Sequence, residues 1–440
     1  MPKVKTYTKY IKELFSLALP MIMGNLGMIL IGAGDVFVAA KHSTNTLASI
    51  SIANSIISTI FMFGIGLIVS VSPLLSNFRG EKENVKKYFL PTINYAMVLA
   101  FLSCIVVLLS VFFVDKMNFD PILVPAIKKY MFICAFSVFG AYLQIALKEY
   151  LQAFEIVFFP NLINILGVFI HLFLDFVFVF GWFGLPAMGA VGLAVATLLS
   201  RTIFGLWMLG YCLKFVKVKR YSDFGYYLNL LKIGFPIAIA ILIEFIAFNM
   251  ITIVMGRVSG LYAAAQSVLL TITTATFMIP LAISNAIAVK VGFANGAKNF
   301  VDMKCYSYSG VGISVGFMSL SALGFLFFPK SFVNIFTQDV ELVKICLPIM
   351  LLAGIFQIFD GLQVSLGGVF KGLKKTNIIM AGDFAAYWLI GFPLGCLLAF
   401  KFNMGLYGFW VGLTVSISLL AIIFLLILFK QFGKIKRAKC

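Results

Sequence analysis

Charged residues are scarce in this sequence, and the scarcity excludes most classes of soluble protein. Only 11% of the 440 residues are Asp, Glu, Lys or Arg, whereas soluble domains carry about 25%. The hydrophobic fraction is 62% and the mean hydropathy is +1.06. A soluble core cannot accommodate so many apolar side chains, so the composition indicates an integral membrane protein.

Motifs of common enzymes and ATPases are also missing. Segment 79–83 contains a single glycine and lacks the spacing of a phosphate-binding loop. The two histidines are not part of a metal-ligand or nucleophile–base pattern. The seven cysteines show no paired spacing and are interpreted as small apolar residues. We therefore predict no catalytic residue, no cofactor and no direct use of ATP, and we do not expect an enzyme.

Long apolar runs alternate with short polar segments along the chain. Residues 50–71 and 95–114 are examples, and a helix needs about 20 such residues to cross the hydrocarbon layer. A spanning segment must satisfy its own backbone hydrogen bonds, which favours helices. We predict an all-α integral membrane fold with twelve transmembrane helices at about 15–40, 46–72, 88–113, 122–147, 158–180, 187–213, 228–256, 262–289, 304–328, 340–368, 377–400 and 405–429.

The basic residues follow this topology. With a cytoplasmic N-terminus, 25 of the 34 Lys and Arg residues lie in cytoplasmic segments and eight lie outside. The cytoplasmic ones occupy 3–12, 79–87, 148, 214–232, 290–304, 371–375 and 430–439. Such a bias in short loops sets the orientation of membrane proteins. The charge therefore predicts that both termini are cytoplasmic, and it does not indicate nucleic-acid binding.

The second half of the chain repeats the first at a shift of 216 residues. Pro20 aligns with Pro236, and glycine pairs keep the same register without gaps into the sixth helix. Two six-helix halves in the same membrane orientation imply a pseudo-two-fold axis along the membrane normal and a central cavity. We therefore predict two pseudo-symmetric lobes, an N-lobe of residues 1–215 and a C-lobe of residues 216–440.

Four acidic residues fall within predicted spans. Asp35 and Asp175 lie in spans 1 and 5, whereas Glu244 and Asp360 lie in spans 7 and 10. His171 precedes Asp175 by four residues and shares its helix face. A charge at the bilayer centre costs about 2.5–3.5 kcal/mol, so an acid there is a functional candidate. We predict that these acids form one cation- or proton-coupling pair in each lobe, with His171 beside the first pair.

Two kinds of ion suit such acids. Burial and a neighbouring like charge raise the proton affinity of a carboxylate, which can then carry a proton. An ionised pair can instead hold Na⁺ among oxygen ligands, and Glu244 with Asp360 is the candidate Na⁺ site. The structural alternative is a buried ion pair, such as that of Arg201 with Asp175. Asp383 is expected to reach the cytoplasmic surface and to stay outside the site.

Short motifs accompany the acids in both halves. Leu-Ala-Leu-Pro at 17–20 precedes Asp35, and Gly-Phe-Pro at 234–236 precedes Glu244. Further matches lie at 47–48, 263–266, 291–296, 357–372 and 387–393. Taken together and in this order, the motifs resemble the multidrug and toxic compound extrusion (MATE) transporters over nearly the whole chain.

The resemblance implies twelve helices in two lobes and export of substrate by rocker-switch alternating access, coupled to H⁺ or Na⁺. The Glu244 and Asp360 pair resembles the cation site of NorM-type members. The Asp35 and Asp175 pair resembles the first-lobe site of DinF-type and archaeal members. The chain thus combines the acidic residues of two branches.

Two positions depart from the family pattern. Phe356 stands one turn before Asp360, where some NorM-type members have a tyrosine whose hydroxyl supports the ion. His171 stands one turn before Asp175, where an asparagine is usual, and this change favours protons. Phe356, Gln266 and Gln357 lie in or beside the motifs of the C-lobe, and we predict that they support the ion site there.

We predict a secondary active antiporter of the inner cell membrane that exports amphipathic, often cationic, small molecules in exchange for H⁺ or Na⁺. Its 48 Phe, 18 Met and 16 Tyr permit a cavity suited to such drug-like molecules. The expected partners are these substrates and the lipid bilayer, without nucleic acid, and the expected state is a monomer. One alternative is a lipid-linked oligosaccharide flippase. Another is a membrane enzyme that uses Asp35, Asp175 and His171.

Overall fold

The chain is built from helices joined by short turns. A computed structural model describes residues 4–218 and 220–437, and these ranges contain no β-strand. Lys3, Lys219 and Lys439, which contribute to the charge bias, lie outside the described residues. Twelve described helices are long and apolar enough to cross a membrane: α1 (Tyr7–His42), α2 (Thr44–Gly80), α3 (Val85–Met117), α4 (Val124–Ala153), α5 (Phe158–Phe180), α6 (Ala190–Leu213), α7 (Phe224–Val258), α8 (Gly260–Gly296), α9 (Phe300–Phe327), α10 (Val340–Gly372), α11 (Asn377–Lys401) and α12 (Gly405–Gly433). The predicted all-α fold with twelve spans is confirmed.

Several helices continue beyond the predicted hydrophobic spans. The prediction ends span 2 at about residue 72, whereas α2 continues to Gly80 after a turn at residues 69–70. Val71, Leu74 and Leu75 in this extension are buried. Packing against the protein therefore stabilises turns that a hydropathy pattern does not detect.

α11 departs from regular α-helical geometry. It is π-helical over Ala385–Gly391 and Leu397–Lys401, and α-helical over Asn377–Phe384 and Phe392–Cys396. Pro393 contributes to this irregularity because it cannot donate the helical N–H hydrogen bond. A π-helix forms i to i+5 hydrogen bonds, which widen the turn, and such segments are frequent at functional sites.

Contacts divide the chain into two compact units. The N-unit is Pro20–Ala238, and the C-unit combines Met1–Leu19 with Ile239–Cys440. The divisions thus fall at a proline of α1 and two residues after Pro236 of α7. A proline inside a helix removes a backbone hydrogen bond and permits a bend. α1 and α7 therefore each contribute to both units.

The first turns of α1 are held in the C-unit by polar contacts. Tyr10 Oη donates to Asp302 Oδ1 at 2.6 Å. The Glu13 carboxylate accepts hydrogen bonds from Lys290 Nζ at 3.3 Å and from the Tyr306 hydroxyl. These side chains attach the start of α1 to α8 and α9.

The first turns of α7 are held in the N-unit in a similar way. The hydroxyls of Tyr226 and Thr92 lie 2.7 Å apart, and the Tyr226 ring stacks on Tyr88 at 4.5 Å. These contacts give the units different boundaries from the lobes predicted at 1–215 and 216–440. That assignment of lobes follows the sequence repeat and stays a prediction.

Close packing of α4 on α6 depends on two glycines. A Cβ atom on Gly140 would lie 2.6 Å from the backbone carbonyl of Arg201. A Cβ atom on Gly205 would lie 2.7 Å from the carbonyl oxygen of Gly140. Small residues permit such backbone contacts between membrane helices.

We expect Gly140→Ala to lower the free energy of unfolding by about 1–3 kcal/mol, because the obstructing atoms belong to backbone that cannot rotate away. The measurement is the thermal unfolding midpoint of the purified protein in detergent. Gly210→Ala on α6 is the matched control, since a Cβ atom there meets nothing within 4 Å. Equal midpoints for the two variants would contradict the proposed contact.

Candidate functional site

Three ionisable side chains of the N-unit meet at one point. His171 Nε2 lies 2.7 Å from Asp35 Oδ1 and 3.4 Å from Asp175 Oδ2. α1 supplies Asp35, and α5 supplies the other two residues one turn apart. The structure therefore brings together the three residues predicted for the first lobe, while their role in ion coupling stays a prediction.

Ser200 of α6 fixes the orientation of the imidazole. Its Oγ lies 2.8 Å from His171 Nδ1 and donates to the Thr197 carbonyl at 3.1 Å. If the hydroxyl hydrogen points to that carbonyl, Nδ1 donates to Ser200; if it points to Nδ1, the proton of the neutral ring is on Nε2. Nε2 then either donates to an ionised Asp35 or accepts from a protonated one. The contact between His171 and Asp35 therefore contains a shared proton.

Solvent reaches the members of this cluster unequally. The Asp35 side chain is 16% exposed, whereas those of His171 and Asp175 are 3% and 0% exposed. Neither carboxyl oxygen of Asp175 has a hydrogen-bond partner. An uncompensated charge away from water is costly. The cluster therefore requires a proton or another cation to balance its carboxylates.

The alternative of a permanent ion pair between Arg201 and Asp175 does not occur in the part of the chain that the structure describes. Arg201 Nη1 donates to Ser137 Oγ at 3.0 Å, and its guanidinium lies 4.8 Å from the centre of the Phe61 ring. Arg201 thus makes other contacts within the N-unit, and Asp175 remains available for a transient partner.

The second predicted pair lies in the C-unit. Asp360 on α10 is buried and Glu244 on α7 is partly buried, and the two carboxyls interact electrostatically. Tyr387 of α11, which was not among the predicted site residues, lies within electrostatic reach of the Glu244 carboxyl. Tyr387 opens the motif at 387–393, but the motif does not show which acid it lies beside. The role of this pair, including the candidate Na⁺ site, stays a prediction.

The expectation that Asp383 reaches the cytoplasmic surface is wrong. Asp383 is 3% exposed, and its Oδ1 accepts a hydrogen bond from Gln363 Nε2 at 2.9 Å. The amide of Gln363 on α10 offers the carboxyl a partner inside the protein, so the side chain does not extend to water. Asp383 is a third carboxyl within electrostatic reach of Glu244.

The predicted supporting residues make contacts between helices of the C-unit. The Phe356 ring packs edge-on against Trp410 with centroids 5.6 Å apart. Trp410 Nε1 donates to Gln266 Oε1 at 2.9 Å, and Gln266 Nε2 is buried without a partner. Gln357 donates to the Thr276 hydroxyl. These contacts link α8, α10 and α12, and any support of an ion by these residues stays a prediction.

A bundle of membrane-length helices with buried acids in two units is the architecture of a secondary transporter. A family model described as MatE matches residues 20–177 and 236–397. These segments begin 216 residues apart, in agreement with the internal repeat. The chain belongs to the MatE family.

Individual relatives agree with this assignment. A protein of Mesorhizobium japonicum named "Probable multidrug resistance protein NorM" is 28% identical, with 94% of this chain and 92% of the relative covered. The crystal structure of the eukaryotic MATE transporter AtDTX14 matches with a TM-score of 0.84 at 25% identity, covering 97% of this chain and 98% of the other. A MOP superfamily transporter from Pyrococcus furiosus has the same fold, with a TM-score of 0.88, 18% identity and 97% of both chains covered.

We expect Asp175→Asn to raise the free energy of unfolding by about 1–3 kcal/mol, because it removes an acid whose buried oxygens have no hydrogen-bond partner. The same change is expected to impair transport. The thermal midpoint of the purified variant in detergent provides the measurement.

Asp115→Asn serves as the control, since the Asp115 side chain is 57% exposed and pairs with Lys128 at the surface. We expect little change in its midpoint. A marked fall in the midpoint of Asp175→Asn would instead show that Asp175 is a structural residue.

Proposed function

We propose that the protein is a proton-coupled multidrug efflux antiporter that exports amphipathic cations in exchange for H⁺. The observation that supports this proposal most strongly is the position of His171 Nε2, 2.7 Å from Asp35 and 3.4 Å from Asp175. This nitrogen can thus exchange a proton with Asp35, to which it is hydrogen-bonded, and it lies beside the buried Asp175. Hydrogen-bond contact is the geometric requirement for such transfer.

A proton enters this cluster at Asp35, the member with the most exposed side chain. It passes to His171, whose other nitrogen is held by Ser200, and the ring does not need to reorient. Asp175 then shares the charge of the protonated ring. Each proton loaded raises the charge of the cluster by one, and each proton released leaves a negative charge that attracts a cation.

Protons suit this site better than Na⁺ does. A hard cation prefers a shell of oxygen ligands, whereas the nearest partner of Asp35 is an imidazole nitrogen. An imidazole changes its charge near neutral pH, which suits exchange with the proton gradient of a cell.

The substrates we propose are drug-like organic cations. A cation and a proton compete for negative charge, and this competition links export of the one to entry of the other. The name of the Mesorhizobium relative, a probable multidrug resistance protein, supports the same substrate class. We propose that the two predicted lobes alternate access by a rocker-switch movement.

The topology we propose places both termini in the cytoplasm and the chain, as a monomer, in the inner cell membrane. The bias of basic residues toward one set of loops supports this orientation. The flippase alternative has less support, because a pyrophosphate group needs basic partners and the buried ionisable clusters described here are acidic. An enzymatic role for Asp35, Asp175 and His171 has no support from the names of the relatives.

Purified protein in liposomes tests the coupling ion. We expect an inward proton gradient to drive efflux of a fluorescent organic cation, and a sodium gradient of equal size to have little effect. In Asp35→Asn we expect proton-driven efflux to fall to the level of empty liposomes, because the exposed member of the proton relay is lost.

Lys41→Gln is a suitable control, since it removes a charge six residues from Asp35 on the same helix without altering the cluster. Its efflux should equal that of the parent. Efflux that follows the sodium gradient, or an Asp35→Asn variant as active as the parent, would refute proton coupling at this cluster.

A further inference from the structure

A positive charge lies in a membrane-spanning helix of the N-unit without a negative partner. Arg201 stands midway along α6, and its side chain is partly buried. Within residues 4–218 and 220–437, no carboxylate forms a salt bridge with it. A charged residue at this depth is costly, so an unpaired one indicates a functional site.

Two neighbouring helices hold the guanidinium in a fixed orientation. Ser137 of α4 is fully buried and accepts a hydrogen bond from Arg201 Nη1 at 3.0 Å. The Ser137 hydroxyl in turn donates to the Cys134 carbonyl at 2.7 Å, which leaves its oxygen as the acceptor. On the α2 side, the guanidinium carbon lies 4.8 Å from the centre of the Phe61 ring, a cation–π contact. The guanidinium is thus anchored among α2, α4 and α6, while its charge stays unbalanced.

The Phe61 ring is itself held by Tyr142 of α4. The two rings stack with centroids 5.3 Å apart, and the Tyr142 hydroxyl donates to the Phe61 carbonyl at 3.2 Å. Arg201 therefore rests on a ring that is already fixed. A preorganised binding group increases affinity, because less conformational freedom is lost when the ligand binds.

The guanidinium offers more hydrogen-bond donors than the protein uses. An arginine side chain has five N–H donors, and among the described residues only Ser137 accepts from it. A carboxylate can accept two parallel hydrogen bonds from a guanidinium and neutralises its charge. One carboxylate therefore matches this site, whereas a pyrophosphate carries more charge than a single arginine balances.

The same helix also contacts the acidic cluster of the N-unit. Ser200, the residue before Arg201, has its Oγ 2.8 Å from His171 Nδ1. Adjacent residues of a helix point about 100° apart, so α6 directs Arg201 to one side of the cluster. Tyr130 of α4 lies within electrostatic reach of both Asp35 and Arg201. A positive and a negative site thus flank one region of the N-unit.

We propose that Arg201 binds the carboxylate of a zwitterionic substrate whose amine lies at the cluster around His171. The substrate class is an amphipathic organic molecule that carries one amine and one carboxylate. The inference rests on the proposed function, because that cluster is its cation site, and it extends the substrates from cations to zwitterions. The amine of a zwitterion still competes with the proton, so its export stays linked to proton entry.

Binding of two related dyes to the purified protein in detergent tests this proposal without any transport. One dye is a rhodamine with a free carboxylate and the other is its methyl ester, and fluorescence anisotropy gives the Kd of each. In Arg201→Gln we expect the Kd of the acid to rise about tenfold, because a charge-assisted contact is lost. The Kd of the ester should stay equal or fall, because a positive charge that repels it is removed.

Lys214→Gln is the matched control, since it removes an exposed positive charge directly after the same helix. Both dyes should bind this variant as they bind the parent. Ser137→Ala is a second test variant, which removes the acceptor that orients the guanidinium but keeps the positive charge. We expect its Kd for the acid to rise about threefold and its Kd for the ester to stay unchanged.

The outcomes separate this proposal from the proposed function. An equal loss of affinity for both dyes in Arg201→Gln would show a structural role and overturn the carboxylate site. An unchanged Kd of the acid, or a parent that binds only the ester, would overturn it as well. We expect Asp35→Asn to weaken the binding of both dyes. If it weakens neither while Arg201→Gln weakens the acid alone, the carboxylate site stands and the cation site of the proposed function is refuted.

Discussion

A carboxyl group inside a membrane needs a partner that balances its charge, because the surrounding hydrocarbon offers none. In the N-unit the partner is an imidazole, which lies between Asp35 and Asp175 and is oriented by Ser200. In the C-unit Gln363 donates a hydrogen bond to Asp383. The helices must keep their relative positions for each partner to reach its acid. The acidic sites therefore depend on the fold.

The two halves of the repeat have different residue types beside their acids. His171 and Tyr387 occupy equivalent positions of the repeat. His171 contacts Asp35, and Tyr387 lies within electrostatic reach of Glu244. A histidine can gain and lose a proton near neutral pH, whereas a tyrosine ordinarily keeps its hydroxyl proton at that pH. This difference supports the proposal that the cluster of the N-unit carries protons.

The spans and the acids within them can be predicted from the sequence. Both depend on the free energy of transfer into hydrocarbon, which is a property of each residue type. The ends of α2 and the burial of Asp383 depend on neighbours far along the chain, so hydropathy does not reveal them. Ser200 lacks a sequence signal for the same reason, since its importance comes from contact with a histidine 29 residues away. The division of α1 and α7 between the units likewise follows from packing around prolines.

In the mechanism that we propose, a proton and a cationic substrate compete for the Asp35, His171 and Asp175 cluster. The most direct measurement is the pH of a weakly buffered solution of the purified protein as an organic cation is added. We expect that binding releases protons, and that His171→Asn binds the cation with little release. Binding by the parent protein without proton release, or displacement of the cation by Na⁺ alone, would contradict it.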